Sequence, residues 1–322
     1  MTQVQTVRGP VETANLGRTL MHEHIFVLTP DVQQNHDEWD EDVRIKDAIE
    51  KLTALAEAGY DTIVDPTVIG LGRYIPRVEK IAAEVDLNII VATGVYTYDT
   101  APNFFRFRGP IPGIIDADPM AEIFVRDITE GIPGTNVRAA FLKCAIDEHG
   151  LTPDVERIMR SVSRAHRQTG APITIHTHPG SQRGNDAHEV FASEGVDPTR
   201  VVLGHSGDSA DPDHLASLAD RGYILGMDRF GIESGSPFEQ RVSVLVTLVE
   251  RGYADRMVLA HDAACYIDWI APSLLQYNSN WHYLHIENDV LPELRKRGVT
   301  DEQIDQMLVG NPRRYFDNVA PY

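Results

Sequence analysis

The sequence is poor in cysteine and has no long apolar run. Its two cysteines, Cys144 and Cys265, are too few for a disulfide framework and lack the paired spacing of a structural zinc site. The apolar stretches are far shorter than the roughly 20 residues that span a bilayer, and residues 1–10 lack the apolar core of a secretory signal. We therefore expect a cytoplasmic protein with reduced thiols and no membrane contact.

Basic side chains are also scarce relative to acidic ones. Lysine and arginine total 29 against 48 acidic residues, which gives a formal net charge of −19, and no basic run interrupts this excess. Such a charge repels phosphate backbones, so nucleic acid is not an expected partner. The 42% hydrophobic content is that of an ordinary globular chain and is enough for a large core.

Short β-rich runs alternate with longer segments of helical periodicity along the whole chain. The predicted strands are residues 18–26, 61–65, 87–93, 137–143, 173–176, 201–205, 223–227 and 257–261, and helices are predicted at 42–58, 154–168, 213–220 and 238–251. Strands joined by helical connections must run parallel, and eight such units in this length predict an α/β fold, a (β/α)₈ TIM barrel. No linker divides the sequence, so we predict one domain over residues 1–322.

Metal-ligand side chains lie where these strands end. The first strand contains His22 and His24, which face the same side because strand side chains alternate, whereas Glu23 faces the other side. Four further strands end at, or directly before, Lys143, His176, His205 and Asp262. Active sites of this fold lie at the carboxyl ends of the strands, so these six groups are predicted to converge.

Each of these residues also has a purely structural interpretation. A single strand histidine is usually a core residue, and an aspartate at a strand end is often a helix N-cap. Four histidines and an aspartate at one end of a barrel have no such common reason to cluster, and we therefore predict a metal site. Lys143 is either part of a structural ion pair or a buried, partly neutral amine that reacts with carbon dioxide to form a carbamate.

These segments together resemble the phosphotriesterase-like lactonases of the amidohydrolase superfamily. The motifs are LMHEH at 20–24, FLKCA at 141–145, VLGHSGD at 202–208 and HDAACY at 261–266, and the likeness runs from residues 4–10 through 311–314. The resemblance implies a centre of two divalent metal ions, zinc above all, with cobalt, manganese or iron as alternatives. It also implies a homodimer.

The resemblance also assigns ligands. It implies that His22, His24 and Asp262 hold the more buried ion, that His176 and His205 hold the more exposed one, and that carboxylated Lys143 bridges them together with a hydroxide. His178 is a rival ligand two residues after His176, and His261 is expected to point away from the metals. Asp262 would take the proton of the attacking hydroxide and pass it to the leaving alkoxide.

The loops bear on the substrate. Residues 228–237 form a short connection like that of the lactonases, and the motifs GMDRF at 226–230 and YTY at 96–98 are similar to theirs. By resemblance, Tyr98 and Arg229 contact the substrate, although Tyr98 is open to a packing role and Arg229 to an ion pair with Asp228. Cys265 and Trp269, in the last loop, are predicted to line an apolar groove for an acyl chain, or else to cover the barrel or a dimer contact.

The first hypothesis is thus a lactonase that opens N-acyl-homoserine lactones, in quorum quenching, with promiscuous hydrolysis of organophosphate triesters. The second is a phosphotriesterase proper, an aryldialkylphosphatase, or another amidohydrolase that acts on a different ester or a cyclic amide. The third is a metal-loaded binding protein without turnover. An open metal site with a base at its mouth argues against the third.

Overall fold

A computed structural model describes residues 2–35, 39–111, 113–115, 118–317 and 320–322. Within them the chain forms twelve strands: β1 (Gln3–Thr6), β2 (Gly9–Glu12), β3 (Thr19–Leu20), β4 (His24–Val27), β5 (Thr62–Asp65), β6 (Asn88–Gly94), β7 (Phe141–Ile146), β8 (Ile173–Thr177), β9 (Val201–Gly204), β10 (Ile224–Met227), β11 (Met257–Leu259) and β12 (Ala264–Ile267). Strands β1 and β2 pair as an antiparallel hairpin outside the main sheet.

The main sheet is a nearly closed parallel barrel. It contains β3 and β5 to β11, and each strand pairs with the strands that precede and follow it in the sheet order. The two ends of the sheet meet where the backbone N–H of Met21 donates to the carbonyl oxygen of Leu259, at 3.1 Å. The predicted TIM barrel is confirmed.

The first predicted strand, residues 18–26, is observed as two short strands. The chain changes neighbour within it, because β3 pairs with β5 whereas β4 pairs with β12. Residues 21–23 lie at this change and carry His22 and Glu23. Strand β12 was not predicted, since it begins only two residues after Asp262 in a segment interpreted as loop.

Helices surround the barrel: α1 (Pro30–Asn35), α2 (Glu41–Glu57), α3 (Ile75–Ala82), α4 (Asn103–Arg106), α5 (Pro119–Thr129), α6 (Pro153–Thr169), α7 (Arg183–Ser193), α8 (Pro212–Asp220), α9 (Phe238–Glu250), α10 (Pro272–Leu275), α11 (Leu291–Lys296), α12 (Asp301–Asp305) and α13 (Asn311–Asp317). The four predicted helices correspond to α2, α6, α8 and α9 within one residue at each end. The ends of α6 illustrate why the bounds could be predicted. Thr152 caps its N-terminus, and Gly170 ends it in a left-handed conformation. Among the described helices, none is long and apolar enough to cross a bilayer.

The apolar core consists of two clusters of buried side chains. The larger one joins strands and helices, and the smaller one includes Val64, Phe141 and Val258 from the strands and Phe316 from α13. The long segment 95–120 contains α4 and the start of α5, and residues 112, 116 and 117 of it lie outside the described residues. The carboxyl ends of the strands are thus where the polar site is built.

Gly94, at the end of β6, tests how closely neighbouring strands must approach. Its φ is 148°, and a Cβ built there would lie 1.8 Å from the carbonyl oxygen of Lys143. We expect Gly94→Ala to lower the free energy of unfolding by about 3 kcal/mol, because the backbone of β7 must move away. Denaturant unfolding followed by circular dichroism measures the change. Gly235→Ala, where a Cβ meets nothing within 4 Å, is the control, and equal midpoints for the two variants would contradict the expectation.

Candidate metal centre

A cavity of about 380 Å³ opens at the carboxyl ends of the barrel strands. Its walls include every predicted metal ligand, namely His22, His24, Lys143, His176, His205 and Asp262, together with Tyr98, Arg229 and Trp269. The four histidines and Lys143 are buried. The structure therefore brings the six groups together as the strand-end argument predicts.

Asp228 orients two of the four histidines. Its Oδ2 lies 2.9 Å from Nδ1 of His22 and its Oδ1 lies 3.0 Å from Nδ1 of His205. Oδ1 also accepts the backbone N–H of His205, at 2.7 Å. A carboxylate accepts only, so it holds each ring with the proton on Nδ1 and leaves Nε2 with a lone pair.

The other two histidines are held by different groups. Nδ1 of His24 lies 2.8 Å from Oγ1 of Thr67, and Thr67 in turn hydrogen-bonds to Asp65. Nε2 of His176 hydrogen-bonds to Asp147, which follows β7 directly. In each ring one nitrogen is thus occupied by a protein group outside the cavity.

The remaining ring nitrogens face one another across the cavity. Nε2 of His205 lies 2.8 Å from Nδ1 of His176. Nε2 of His22 and Nε2 of His24 lie 3.4 and 3.2 Å from Oδ1 of Asp262. His22, His205 and Asp262 each offer a ligand atom within 4.8 Å of the others. Nitrogen and carboxylate donors that converge in this way fit a divalent transition-metal ion.

The electrostatic environment keeps most of these imidazoles neutral. Burial lowers the pKa of His22, lowers that of His205 well below its usual value, and lowers that of His176 to about 4. His24 differs: burial lowers its pKa, but the nearby carboxylates of Asp262 and Asp65 outweigh burial and raise the pKa to about 9. Neutral rings are the form that binds metals.

Lys143 is the unusual member of the group. Its side chain is 1% exposed and Nζ lies 3.4 Å from Nε2 of His22. Among the described residues, no carboxylate lies within ion-pair distance of Nζ, which argues against the structural interpretation. Burial lowers the pKa of Lys143 to about 8, so a substantial fraction of the amine is neutral at mildly alkaline pH.

Asp262 also forms an ion pair with an arginine, through its Oδ2. Nε of Arg229 donates to its Oδ2 at 3.0 Å, and Nη1 of Arg229 donates to Asp208 at 3.2 Å. The alternative of an ion pair between Arg229 and Asp228 is therefore wrong, because Arg229 pairs with Asp208 and Asp262, whereas Asp228 hydrogen-bonds to the histidines. Burial raises the pKa of Asp262, but the hydrogen bond with His24 and the charge of Arg229 oppose burial, and the pKa is held well below its usual range.

Aromatic side chains form one wall of the cavity. Tyr98 packs on His176 with ring centroids 5.3 Å apart, its hydroxyl hydrogen-bonds to that of Tyr96, and Tyr96 packs on Trp269 at 6.0 Å. Cys265, which was predicted at the substrate groove, does not line the cavity. Its Sγ lies 3.1 Å from the hydroxyl of Tyr283, and neither Cys265 nor Tyr283 lines the cavity.

The two loops that follow β10 and β12 are joined at the cavity rim. Oδ1 of Asn278 accepts the backbone N–H groups of Glu233 and Ser234, at 3.0 and 3.4 Å. Gly231 has a φ of 98°, and a Cβ there would lie 2.3 Å from the carbonyl oxygen of Asn280. The loops therefore meet backbone to backbone and form one continuous wall.

Known proteins are similar to this chain in sequence and in fold. The model of the phosphotriesterase family matches residues 2–316. The chain belongs to the phosphotriesterase family. A phosphotriesterase structure from Mycobacterium tuberculosis is 53% identical, with a TM-score of 0.97, and the match covers 99% of this chain and all of the other. As a member of this family the protein is a hydrolase, and the family is metal-dependent.

Two further relatives differ in the activity that their names carry. An aryldialkylphosphatase from Saccharolobus solfataricus is 34% identical over 96% of this chain and 98% of its own. A mutant of a phosphotriesterase-like lactonase from Deinococcus radiodurans is 36% identical, with a TM-score of 0.89, over 97% of this chain and 99% of its own. Family membership therefore leaves the choice between lactone and phosphotriester open.

Neighbouring histidines of the family motifs serve other purposes. Nδ1 of His178 accepts the backbone N–H of Ser181 and caps a short helix, and this rival of His176 does not line the cavity. Nδ1 of His261 is bonded to Glu23, at 2.6 Å, on the opposite face from the cavity. Asp147, Thr67 and the role of Asp228 were not predicted from the sequence.

Asp147 offers a test of the orienting groups. We expect Asp147→Ala to weaken binding of the more exposed metal ion, the one assigned to His176, by roughly 10- to 100-fold, because His176 loses the group that fixes its ring. Glu148→Ala removes the adjacent, exposed carboxylate and is the matched control. Metal content after dialysis against graded zinc concentrations measures the effect. Equal zinc retention in the two variants would show that Asp147 does not orient His176.

Proposed function

We propose that this protein is a metal-dependent lactonase that opens N-acyl-homoserine lactones and hydrolyses organophosphate triesters as a slower side reaction. The observation that carries the proposal is a cavity whose wall is part polar and part apolar. It is lined by the four histidines, Lys143 and Asp262, and also by the side chains of Ile267, Trp269 and Ile270. A lactone ring with an acyl chain likewise has a polar and an apolar part.

The loops support a lactone over a bulky triester. Only ten residues, 228–237, connect β10 to α9, and the resemblance associates a short connection here with lactonases and an expanded one with phosphotriesterases. The likeness to the lactonase from Deinococcus radiodurans agrees with this choice. A homodimer that acts in the cytoplasm remains part of the proposal.

The metal ligands follow from the ring nitrogens that face the cavity. His22, His24 and Asp262 would hold the more buried ion, and His176 and His205 the more exposed one. Zinc fits this donor set best, while cobalt, manganese and iron also accept imidazole and carboxylate. When bound, two such ions would polarise the substrate carbonyl and lower the pKa of the attacking water.

Asp262 would manage the proton of the reaction. Its carboxylate, ionised at neutral pH, would accept a proton from the attacking water as the new C–O bond forms. The ring C–O bond then breaks, and Asp262 would return the proton to the leaving alkoxide, which yields the open hydroxy acid. Arg229 would keep Asp262 oriented, because a guanidinium stays charged and cannot take the proton itself.

Two predicted substrate contacts, Tyr98 and Arg229, line the cavity, which supports a role for them in this reaction. Tyr98 packs on His176 at the cavity mouth, and its hydroxyl would donate a hydrogen bond to the substrate carbonyl region. Arg229 lines the same cavity from the opposite loop. Trp269 would cover the acyl chain, with each buried methylene contributing about 0.8 kcal/mol.

A phosphotriesterase is the second candidate, and the identity to the aryldialkylphosphatase favours it. Relative rates decide between the two. We expect kcat/KM for a series of N-acyl-homoserine lactones to exceed that for paraoxon at least tenfold, measured on protein whose metal content is known. Asp262→Asn, which suits the positive φ at this position, should lose turnover while it keeps its fold. A faster triester reaction, or no lactone opening by fully loaded protein, would overturn the proposal.

Lys143 gives a separate prediction. We propose that its neutral amine attacks carbon dioxide, forms an N–C bond, releases a proton to solvent and becomes a carbamate, whose oxygens would serve as metal ligands. Since its pKa is about 8, carbamate formation should accelerate as the pH rises through 8 and slow below it. Zinc reloading of metal-free protein should therefore need bicarbonate.

The carbamate can be observed directly. Protein reloaded with ¹³C-bicarbonate should show a carbamate carbon signal in NMR spectra, and Lys143→Met should show none and retain little zinc. Lys143→Glu supplies two carboxylate oxygens without carbon dioxide, so its zinc content should be partial and independent of bicarbonate. Complete zinc loading in the absence of bicarbonate, without a carbamate signal, would contradict the assignment.

A further inference from the structure

Glu23 lies between His22 and His24 in sequence but is not part of the cavity. Its side chain is fully buried, in the short segment between β3 and β4. Oε1 accepts hydrogen bonds from the backbone N–H of His261, at 2.8 Å, and from its Nδ1, at 2.6 Å. Oε2 accepts the backbone N–H of Ala263, at 3.1 Å. One carboxylate therefore accepts backbone hydrogen bonds from the residues on both sides of Asp262.

The direction of the imidazole hydrogen bond is fixed by the backbone. Nε2 of His261 accepts the N–H of Ile286, at 2.9 Å, so the ring proton must be on Nδ1. Glu23 thus receives three N–H donors and faces no acceptor in this contact. A group with two accepting oxygens fits this position, whereas an amide does not.

The backbone between these two hydrogen bonds, at Asp262, is strained. Asp262 has a φ of 54°, a left-handed conformation that costs free energy for a residue other than glycine and persists only where its surroundings impose it. Its N–H donates to the carbonyl oxygen of His22, at 3.0 Å, and Trp281 donates to the carbonyl oxygens of His261 and Asp262, at 3.0 and 3.1 Å. This conformation turns the Asp262 carboxylate toward the histidines.

We propose that Glu23 is a positioning residue for the metal centre. By accepting the N–H groups of His261 and Ala263 it fixes the left-handed turn at Asp262 and sets the distance between Asp262 and the segment that contains His22 and His24. His22, His24 and Asp262 are the ligands assigned to the more buried ion, so the inference rests on the metal site of the proposed function. Glu23 touches neither metal nor substrate and acts through Asp262.

The substitution Glu23→Gln tests this role with little change of shape. Glutamine offers one accepting oxygen, so its NH₂ group must face the N–H of either His261 or Ala263. The turn should loosen and the affinity of the buried ion should fall. Residues that orient metal ligands typically contribute about 10- to 100-fold in metal affinity. We expect a loss of zinc affinity in that range, and lactone hydrolysis should recover at raised zinc concentration.

A matched control separates positioning from general stability. Asp127 is as buried as Glu23, and its Oδ2 accepts hydrogen bonds from Arg73 and Thr93, at 2.9 and 2.8 Å, away from the cavity. Asp127→Asn removes the same charge. It should lower the free energy of unfolding as well, but it should leave the zinc affinity within about threefold of the wild type.

The measurement is zinc binding by metal-free protein in competition with a chromophoric chelator, together with denaturant unfolding of each metal-free variant. Zinc affinity of Glu23→Gln equal to that of the wild type, with only stability lost, would overturn the inference. A wild type that binds no zinc would instead overturn the metal site of the proposed function. If Glu23→Gln does not fold, Glu23→Asp decides: its shorter carboxylate should give a partial loss of zinc affinity, and an unchanged affinity would overturn the inference.

Discussion

The site depends on the need of each buried histidine for a partner at both of its ring nitrogens. A neutral ring has one donor and one acceptor, and burial makes an unpaired nitrogen costly. In this protein Asp228, Thr67 and Asp147 occupy one nitrogen of each cavity histidine, and the opposite nitrogens are left pointing inward. The inward set therefore results from pairings made outside the cavity, and the barrel serves to hold these pairings in register.

Much of this arrangement follows from simple patterns in the sequence. Alternation of strands and helices predicts the barrel, and the rule that parallel strands end at one face predicts that His176, His205 and Asp262 meet there. The alternation of side chains within a strand predicts that His22 and His24 share a face while Glu23 is on the other. Each of these predictions needs only the local period of the chain.

The orienting groups could not be predicted in the same way. Asp147 directly follows β7, but the strand was predicted to end at residue 143, and an error of three residues removed it from the set of strand-end side chains. Asp228 was at a strand end, yet its neighbour Arg229 offered a nearer partner in sequence than histidines at positions 22 and 205. Such contacts depend on closure of the barrel, which brings together side chains that no local pattern connects. Cys265 was misplaced because the strand that turns it outward, β12, was not recognised.

The joined loops at the cavity rim have a consequence for how substrate range can evolve. Because Asn278 is bonded to the backbone at Glu233 and Ser234, and Gly231 lies against Asn280, a change in one loop alters the energy of conformations in the other. Substitutions in contact are generally non-additive. Mutational paths toward new substrates should therefore be epistatic across the two loops. A replacement that is harmful in one loop alone becomes acceptable only after its partner has changed, which restricts the order in which new specificities can arise.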